Sequence, residues 1–537
     1  MRKYIHVISL GLFLCGSSLQ AQTVYDAEKF ISGDLAGTAR YVGMGGAMGA
    51  LGGDISTINS NPAGIGLFRS NDAMSTIGFF SLDTKSAYGR GVRSTSTVKL
   101  TFDNIGFVYS SRVNDDSRIK FVNLGFSYHK RKNFNKEMLV SGSLGVSQTD
   151  QIAALNSNRP ITNSTPYGVV QPDDLNAKDA FYNGTVPWLG ALAYEGFLIN
   201  PVRKDASTDQ YVGYQNGMNP IIDSKYQSRT SGGIDEFNFN FSVNLDDAVY
   251  LGLTIGAYSV DYAYESRYSE NFTSNGNDTG DYSMKTVLTT EGTGFDVKLG
   301  GIFRPMPDEP LRVGIAIHTP TFYNLSDRNY AELTYKTVDV ATGNTVEGKT
   351  YTQDRIGDAM DGYTDYKLVT PWKFNLSAGY TIGKQIALGA EYEYADYSSA
   401  KLKYDSNGYT EDMTFENEMI SSMLKGVHTF KLGVEAKPNA EFSIRAGYNV
   451  STAAMDKNAY KELPTNSIRT DTQYSNQHAV HNITFGLGYR TDRFYGDAAY
   501  KYTTSSSDFY AFDNVDLNSS KITNKRHELF LTVGMKF

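Results

Sequence analysis

Cysteine, long apolar runs and an excess of positive charge are scarce in this chain of 537 residues. Its mean hydropathy is −0.37, and no apolar run of about 18 residues occurs beyond the N-terminus, which excludes a bundle of membrane-spanning helices. The net charge of −8 gives no electrostatic basis for binding nucleic acid. A hydrophobic content of 40% is too high for a disordered chain. These absences leave a folded protein of another class.

The N-terminus has the pattern of an export signal. Arg2 and Lys3 form a basic start, residues 5–15 are apolar, and Ala21 ends a stretch suited to signal-peptide cleavage. We therefore predict that residues 1–21 are a signal peptide. The only cysteine, Cys15, lies inside it, so the exported chain would have no disulfide and no thiolate metal site. Acylation of Cys15, as in a lipoprotein, is the less favoured alternative.

Alternation of apolar and polar residues dominates the rest of the chain, which contains 51 Gly, 38 Tyr and 29 Phe. Phe237, Phe239 and Phe241 alternate with Asn238 and Asn240, which is the period of a strand with one apolar and one polar face. A soluble β-sandwich alternates too, but these strands exceed the usual length of about 5–6 residues. Their aromatic residues also gather at the strand ends, as in a membrane-interface girdle. We predict an all-β fold, a 14-stranded antiparallel transmembrane β-barrel over residues 72–537.

The fourteen predicted strands are 72–83, 98–112, 119–130, 235–246, 249–264, 286–304, 311–323, 370–383, 385–398, 427–437, 441–451, 481–491, 494–505 and 526–537. Their connections alternate between short and long. Short turns face the periplasm and long loops face outside in barrels of this kind. The predicted extracellular loops are 265–283, 324–365, 401–425, 453–479 and 507–524, together with a large insertion at about 133–234 that includes the strand-like segment 137–148.

Residues 22–71 differ from the strands that follow. Their segment 33–68 is rich in glycine and nearly uncharged, and Met48 occupies the third glycine position of what would otherwise be a dinucleotide-binding pattern. A flexible linker is the alternative, but Ile55, Ile58 and Ile65 make the segment too apolar for one. We predict that residues 22–71 form a plug inside the barrel.

Short motifs in this plug segment match a known family. They are Gly37-Thr38-Ala39-Arg40, Gly43-Met44-Gly45-Gly46-Ala47, Ala50-Leu51-Gly52-Gly53-Asp54 and above all Asn61-Pro62-Ala63-Gly64, supported by Thr370-Pro371-Trp372-Lys373-Phe374 and Arg445-Ala446-Gly447-Tyr448. The chain resembles the FadL/TodX family of outer-membrane transporters for hydrophobic compounds. The resemblance covers essentially the whole exported chain, strongly in the plug and only as architecture in the outer loops.

The resemblance implies a function and a route. The function is uptake of long-chain fatty acids or other hydrophobic molecules across the bacterial outer membrane. The family's Asn-Pro-Ala hatch motif maps onto Asn61, Pro62 and Ala63, followed by Gly64. Ligand would pass from the outer loops to a pocket in the barrel, past the hatch, and sideways through a gap in the wall. A glycine can break strand pairing at such a gap, and Gly125 is the candidate for this lateral gate. The alternative is that Gly125 only relieves crowding in the lumen.

First capture of ligand is predicted in the outer insertion. Residues 186–199 are the most apolar stretch outside the signal and the strands. The candidate ligand-binding residues are Trp188, Leu189, Leu192, Phe197 and Leu198, with a second patch at Met419 and Met423. The alternative is that these side chains form the core that a long loop needs to stay ordered.

No pattern for catalysis or for a cofactor stands out, and we predict a non-enzyme with no cofactor and no metal. His478 and His481 would share a face only on a helix, which their surroundings do not predict. The expected partners are a hydrophobic small-molecule ligand, outer-membrane lipids, and the barrel-assembly machinery through the C-terminal Phe537. We expect a monomer that binds no nucleic acid. A FadL-like barrel acting as a protein-interaction or type IX secretion-like component is the alternative function.

Overall fold

The computed structural model describes residues 22–537, apart from 90, 114–116, 158–179, 182–185, 206–207, 215–219, 307, 339–341, 355, 407–408 and 464–466. The predicted signal peptide, residues 1–21, lies outside the described residues. Among the described helices, none is long and apolar enough to span a membrane.

Antiparallel strands make up most of the described chain. They are β1 (Asp72–Tyr88), β2 (Gly91–Arg112), β3 (Ile119–Asn133), β4 (Lys136–Leu144), β5 (Ile199–Asp205), β6 (Thr208–Gly213), β7 (Ile221–Leu245), β8 (Val249–Ser274), β9 (Asn277–Phe303), β10 (Arg312–His318), β11 (Phe322–Val338), β12 (Thr345–Tyr351), β13 (Gly362–Val369), β14 (Lys373–Ile382), β15 (Ile386–Asp396), β16 (Lys401–Ser406), β17 (Tyr409–Asp412), β18 (Gly426–Ala436), β19 (Phe442–Ser451), β20 (Tyr474–Arg490), β21 (Phe494–Tyr510) and β22 (Ser520–Lys536). The α-helices of the described residues are α1 (Val24–Ile31), α2 (Ala39–Gly43), α3 (Gln148–Ser157), α4 (Trp188–Glu195) and α5 (Thr414–Met423).

Fourteen of these strands form a closed barrel, as the sequence predicts. Their order around the wall is β1, β2, β3, β7, β8, β9, β10, β14, β15, β18, β19, β20, β21 and β22. The first and last strands close the ring, with Asp72 opposite Lys536 and Ala87 opposite Lys521. Each of the fourteen predicted strands coincides with one of them. Closure leaves the membrane-level wall without an exposed strand edge.

The two faces of the wall follow the alternation of the sequence. Phe239 has 60% of its surface exposed, whereas Asn240 beside it has 4%. The C-terminal strand repeats the pattern, with Leu529, Leu531 and Val533 exposed on the outside. An outward apolar belt and an inward polar lining are what a bilayer outside and a lumen inside require. The register predicted for these strands is therefore confirmed.

The extracellular side contains more paired strand than the sequence analysis predicts. Residues 265–283, predicted as a loop, continue β8 and β9 to a turn at Asn275 and Gly276, where both φ angles are positive (52° and 79°). Asn-Gly at this position is a strong hairpin signal, and it explains why the two strands continue here. Likewise 324–365 includes most of β11, all of β12 and the start of β13, and 137–148 includes most of β4, which pairs with the outer half of β7. We call α3, α4, β4–β6, β11–β13 and the outer halves of β7–β9 the outer domain.

The segment before β1 lies inside the barrel. It contains α1, α2 and two 3₁₀ helices, Ile55–Asn59 and Pro62–Leu67. Helix α2 contacts β19 to β22, while the second 3₁₀ helix contacts β3 and β7 to β9 on the other side. Nearly every residue from Ala39 to Ile65 is buried. The N-terminal plug predicted from the sequence is therefore present in the lumen.

Candidate functional site: the plug and the cavity above it

The Asn61-Pro62-Ala63 turn holds the plug against the wall. The Asn61 Oδ1 accepts from the Ala63 N–H at 3.2 Å and so caps the second 3₁₀ helix. Its Nδ2 donates to the Gly49 carbonyl at 2.9 Å, within the plug, and to the Gly301 carbonyl of β9 at 3.2 Å. One amide therefore satisfies a helix end, a plug carbonyl and a wall carbonyl, all in a buried place where an unpaired group is costly.

Glycines of the wall make this close approach possible. A Cβ added to Gly300 would lie 2.1 Å from the Asn61 Oδ1, and one added to Gly252 would lie 2.3 Å from the Pro62 carbonyl carbon. Within the motif, a Cβ at Gly64 would lie 2.3 Å from the Thr57 Oγ1. Gly252 and Gly300 are not among the predicted site residues, although they occupy inward positions of predicted strands.

A second plug contact lies on a row of glycines across four strands. Gly379, Gly389, Gly433 and Gly447 are register partners from β14 to β19. The plug backbone at 44–47 lies directly on the row, because a Cβ at Gly389 would be 2.0 Å from the Ala47 carbonyl oxygen. The outward face of the same strands has an apolar groove of about 610 Å³, which faces lipid. This groove lies outside the lumen.

Ion pairs in the lumen hold the plug as well. The Arg40 guanidinium donates to Glu435 at 3.0 Å, and Glu435 is shared with Arg445, which also pairs with Asp497 at 2.5 Å. Nearer the outside, Asp26 of α1 pairs with Lys29 and with Arg469. Burial by itself would raise the pKa of Asp26, but Arg469 and Lys29 outweigh burial and hold that pKa well below its usual range. The plug is therefore attached by ionised contacts at both ends.

A cavity of about 500 Å³ lies above the plug, bounded by residues 28–36, by the barrel wall and by β4. Eight lysines and arginines line it against five acids; the cations are Lys29, Arg131, Lys132, Lys136, Lys373, Lys431, Lys501 and Arg526, and the acids are Glu28, Asp34, Glu236, Glu393 and Glu528. The lining is thus cationic, although the whole chain has a net charge of −8. Apolar side chains, among them Leu35, Phe134, Val427 and Met455, share the lining.

The positive charge of this cavity is least compensated along β3 and β4. Among the residues that the structure describes, the buried Arg131 Nε has no hydrogen-bond acceptor, and the other guanidinium nitrogens donate to the Tyr258 hydroxyl and the Ile31 carbonyl. The Lys132 Nζ donates to the Lys29 carbonyl at 2.7 Å. Lys136 has no ion pair or hydrogen bond from its side chain in the described part of the chain, and burial lowers its pKa to about 8. A half-buried ammonium without a counter-ion among the described residues favours the entry of an anionic group.

The predicted capture residues are mostly inside the outer domain. Trp188, Leu189, Leu192 and Leu198 have at most 1% of their surface exposed, within one hydrophobic cluster. The Trp188 Nε1 donates to the Phe181 carbonyl at 3.1 Å. Only Phe197 is half exposed, with a φ of 56°. For the other four residues the geometry fits the core alternative, because their surfaces are covered by protein.

The second predicted patch also packs inward. Met423 is buried and Met419 packs against the same cluster, which includes Val24 and Phe30 of the plug helix α1. Helix α5 thus covers the outer end of the plug. A role of these methionines in ligand binding stays a prediction.

Gly125 shows no gap in the wall. It pairs with Val108 of β2 and Asn240 of β7, and the register shifts of β3 fall elsewhere, at Ile119/Phe121 and Lys130/Lys132. A Cβ at Gly125 would lie 3.6 Å from both Ile58 and Ile65 of the plug. This geometry fits the alternative of relieved crowding, and a gate at Gly125 would require a rearrangement of the wall.

The fold with its internal plug defines a class of protein, the plugged 14-stranded transmembrane β-barrel. Comparison with solved structures gives a Pseudomonas aeruginosa FadL homologue, with 14% identity over 94% of this chain and 100% of that chain and a TM-score of 0.50. The deltaS2 mutant of the monoaromatic hydrocarbon channel TodX matches with 12% identity, the same coverage and a TM-score of 0.50. The Pseudomonas putida toluene transporter TodX matches with 11% identity over 94% and 99% of the two chains and a TM-score of 0.47.

No family model and no curated protein matches the sequence. The structural matches show that the chain has the FadL/TodX fold. The resemblance that its motifs indicate is therefore confirmed at the level of the fold.

Proposed function

We propose that this protein is an outer-membrane uptake channel for amphipathic or hydrophobic small molecules, with long-chain fatty acids as the class expected from the sequence. The observation that carries the proposal is the cavity above the plug, where the half-buried Lys136 has no counter-ion among the described residues. Its volume of about 500 Å³ lies in the range of small-molecule sites. A carboxylate would complement Lys136 and Arg131, and the apolar part of the lining would hold a chain or ring.

The route proposed for the ligand follows from the position of this cavity. Ligand enters from the outer domain, rests above the plug, and moves on only when the plug contacts at Asn61 loosen. Leaving an acyl chain in water costs about 0.8 kcal/mol for each CH₂, so an enclosed path is favoured over a wide aqueous pore. Lateral exit near Gly125 is part of this proposal, and it requires that strand pairing opens there.

Binding of two probes by the purified barrel tests the proposal. Oleate is an anionic amphiphile, and toluene is uncharged. We expect Lys136→Gln to weaken oleate binding about tenfold or more, since a charge-assisted contact contributes about 1.5–3 kcal/mol. Toluene binding should not change. The matched control is Lys225→Gln, an exposed lysine on the outer half of β7.

The outcomes separate the candidate functions. If wild-type protein binds neither probe, uptake of hydrophobic compounds is wrong and the alternative, a protein-interaction or secretion component, takes its place. If oleate binds equally well to wild type and Lys136→Gln, the cavity is not the site of the acid group.

A further inference from the structure

Three tyrosine–histidine pairs recur on the outer face of the barrel. The Tyr392 hydroxyl lies 2.8 Å from the His428 Nδ1, the Tyr448 hydroxyl 2.8 Å from the His481 Nδ1, and the Tyr500 hydroxyl 2.7 Å from the His527 Nδ1. The pairs join β15 to β18, β19 to β20, and β21 to β22. Six adjacent strands therefore carry tyrosine and histidine in alternation.

The three pairs have the same position in the strand ladders as well as the same type of hydrogen bond. In the ladders, His428 lies opposite Tyr394, His481 opposite Val450 and His527 opposite Tyr502, so each bonded tyrosine is the diagonal neighbour on the periplasmic side. Tyr394 and Tyr502 also contact the imidazoles, with ring centroids 5.0 and 5.1 Å away. A tyrosine hydroxyl thus holds the Nδ1 of each ring and leaves the Nε2 available to another partner.

The histidines lie at the extracellular edge of the apolar belt. His481 is nine positions from the end of β20 at Arg490 (490 − 481 = 9), and His527 is nine positions from the end of β22 at Lys536 (536 − 527 = 9). At about 3.3 Å per residue and a tilt of about 40°, nine residues rise about 23 Å, close to the belt height of about 25 Å. The imidazoles are therefore at the level of the outer-leaflet head groups.

The other half of the wall has different residues at this height. Phe237 is eight positions from the end of β7, Phe295 eight from the end of β9, and Trp372 ten from the end of β14 (245 − 237, 303 − 295 and 382 − 372). All three are exposed aromatics without an imidazole. The tyrosine–histidine arrangement is therefore confined to the β15–β22 face and is more than an ordinary aromatic girdle.

We propose that this face, defined by Tyr392, His428, Tyr448, His481, Tyr500 and His527, binds phosphate groups of outer-leaflet lipids. Within the described part of the chain, the Nε2 of each histidine has no hydrogen-bond partner. A neutral imidazole whose Nδ1 accepts from the tyrosine O–H carries its proton on Nε2 and donates it outward. An imidazolium donates from both nitrogens and adds a positive charge. Three such donors at head-group height suit phosphate oxygens.

Lipid binding by the purified full-length chain in detergent tests this proposal. The probes are phosphatidylglycerol and a galactosyl diacylglycerol with the same acyl chains, which has no phosphate. Native mass spectrometry should show wild-type protein preferring phosphatidylglycerol, and the triple variant His428→Phe, His481→Phe, His527→Phe should lose at least tenfold of that preference. The control is His478→Phe, because the His478 nitrogens already face Asp508 at 2.9 Å and Ser506 at 3.1 Å.

A second measurement does not depend on the folding of a variant. In ¹⁵N spectra of wild-type protein, phosphatidylglycerol should shift the Nε2 resonances of the three histidines, and the galactolipid should not. Any of three results would overturn the proposal. Wild-type protein could retain both lipids equally, the triple variant could keep the wild-type preference, or phosphatidylglycerol could leave the Nε2 resonances unshifted. None of these outcomes affects the proposed uptake function, because the face lies outside the lumen.

Discussion

Replacing Asn61 by alanine should loosen the plug without unfolding the barrel. The substitution removes the cap on the Ala63 N–H and leaves the buried carbonyls of Gly49 and Gly301 without the donor at 2.9 and 3.2 Å. The lost cap costs about 1 kcal/mol and each unpaired carbonyl about 1 kcal/mol or more. The total of about 3 kcal/mol predicts an open population about 100 times larger, since 1.4 kcal/mol is a factor of ten.

Single-channel recording in planar bilayers measures this population. Wild-type protein should be nearly silent, Asn61→Ala should open intermittently, and a chain lacking residues 22–60 should conduct steadily and define the fully open level. The control is Glu28→Gln, a plug substitution at a carboxylate that makes no hydrogen bond in the described residues. If the deletion leaves a folded barrel with unchanged conductance, the segment is not the occluding plug. If the deletion conducts but Asn61→Ala stays as silent as wild type, other contacts hold the plug and Asn61 is not its anchor.

Three further experiments, with five substitutions in all, test the membrane face, the outer domain and the capture hypothesis. Phe239→Arg should cost about 2–4 kcal/mol of insertion free energy, because its outward side chain is in the belt, whereas Ile221→Arg, equally exposed beyond the belt on the same strand, should assemble normally in liposomes. Burial raises the pKa of Glu270 to about 7. Its contribution to the stability of the outer domain is therefore complete below about pH 4.5 and is lost as the pH rises through 7. Glu270→Gln should flatten this pH dependence of outer-domain stability, as measured by hydrogen exchange. Trp188→Ala should destabilise the outer domain by about 3–5 kcal/mol and speed its proteolysis, while Phe197→Ala should leave proteolysis unchanged and weaken oleate capture if Phe197 contacts ligand.

Alternation made the wall predictable, whereas the helices α3 and α4 of the outer domain have no such period and were hard to predict. A strand exposes every second residue to one environment, so residues such as Phe239 and Asn240 report their faces directly. Trp188 and Leu192 belong to a short helix that packs against strands distant in the sequence. An apolar stretch of this kind predicts a ligand groove and a hydrophobic core equally well. The packing against residues such as Leu333 and Ile468 fits the core alternative.

The sequence by itself determined the barrel, the strand register and the plug, because each depends on local periodicity or a contiguous motif. The tertiary structure alone decided which residues meet across the lumen. Asn61 donates a hydrogen bond to Gly301, which is 240 positions away in the sequence. Arg131 and Lys501 line the same cavity. Both arrangements exist because the last strand pairs with the first and closes the barrel. No local pattern encodes such contacts, because they depend on the tilt and curvature of the whole closed wall. The charge of the cavity and the alignment of the three tyrosine–histidine pairs emerge for the same reason.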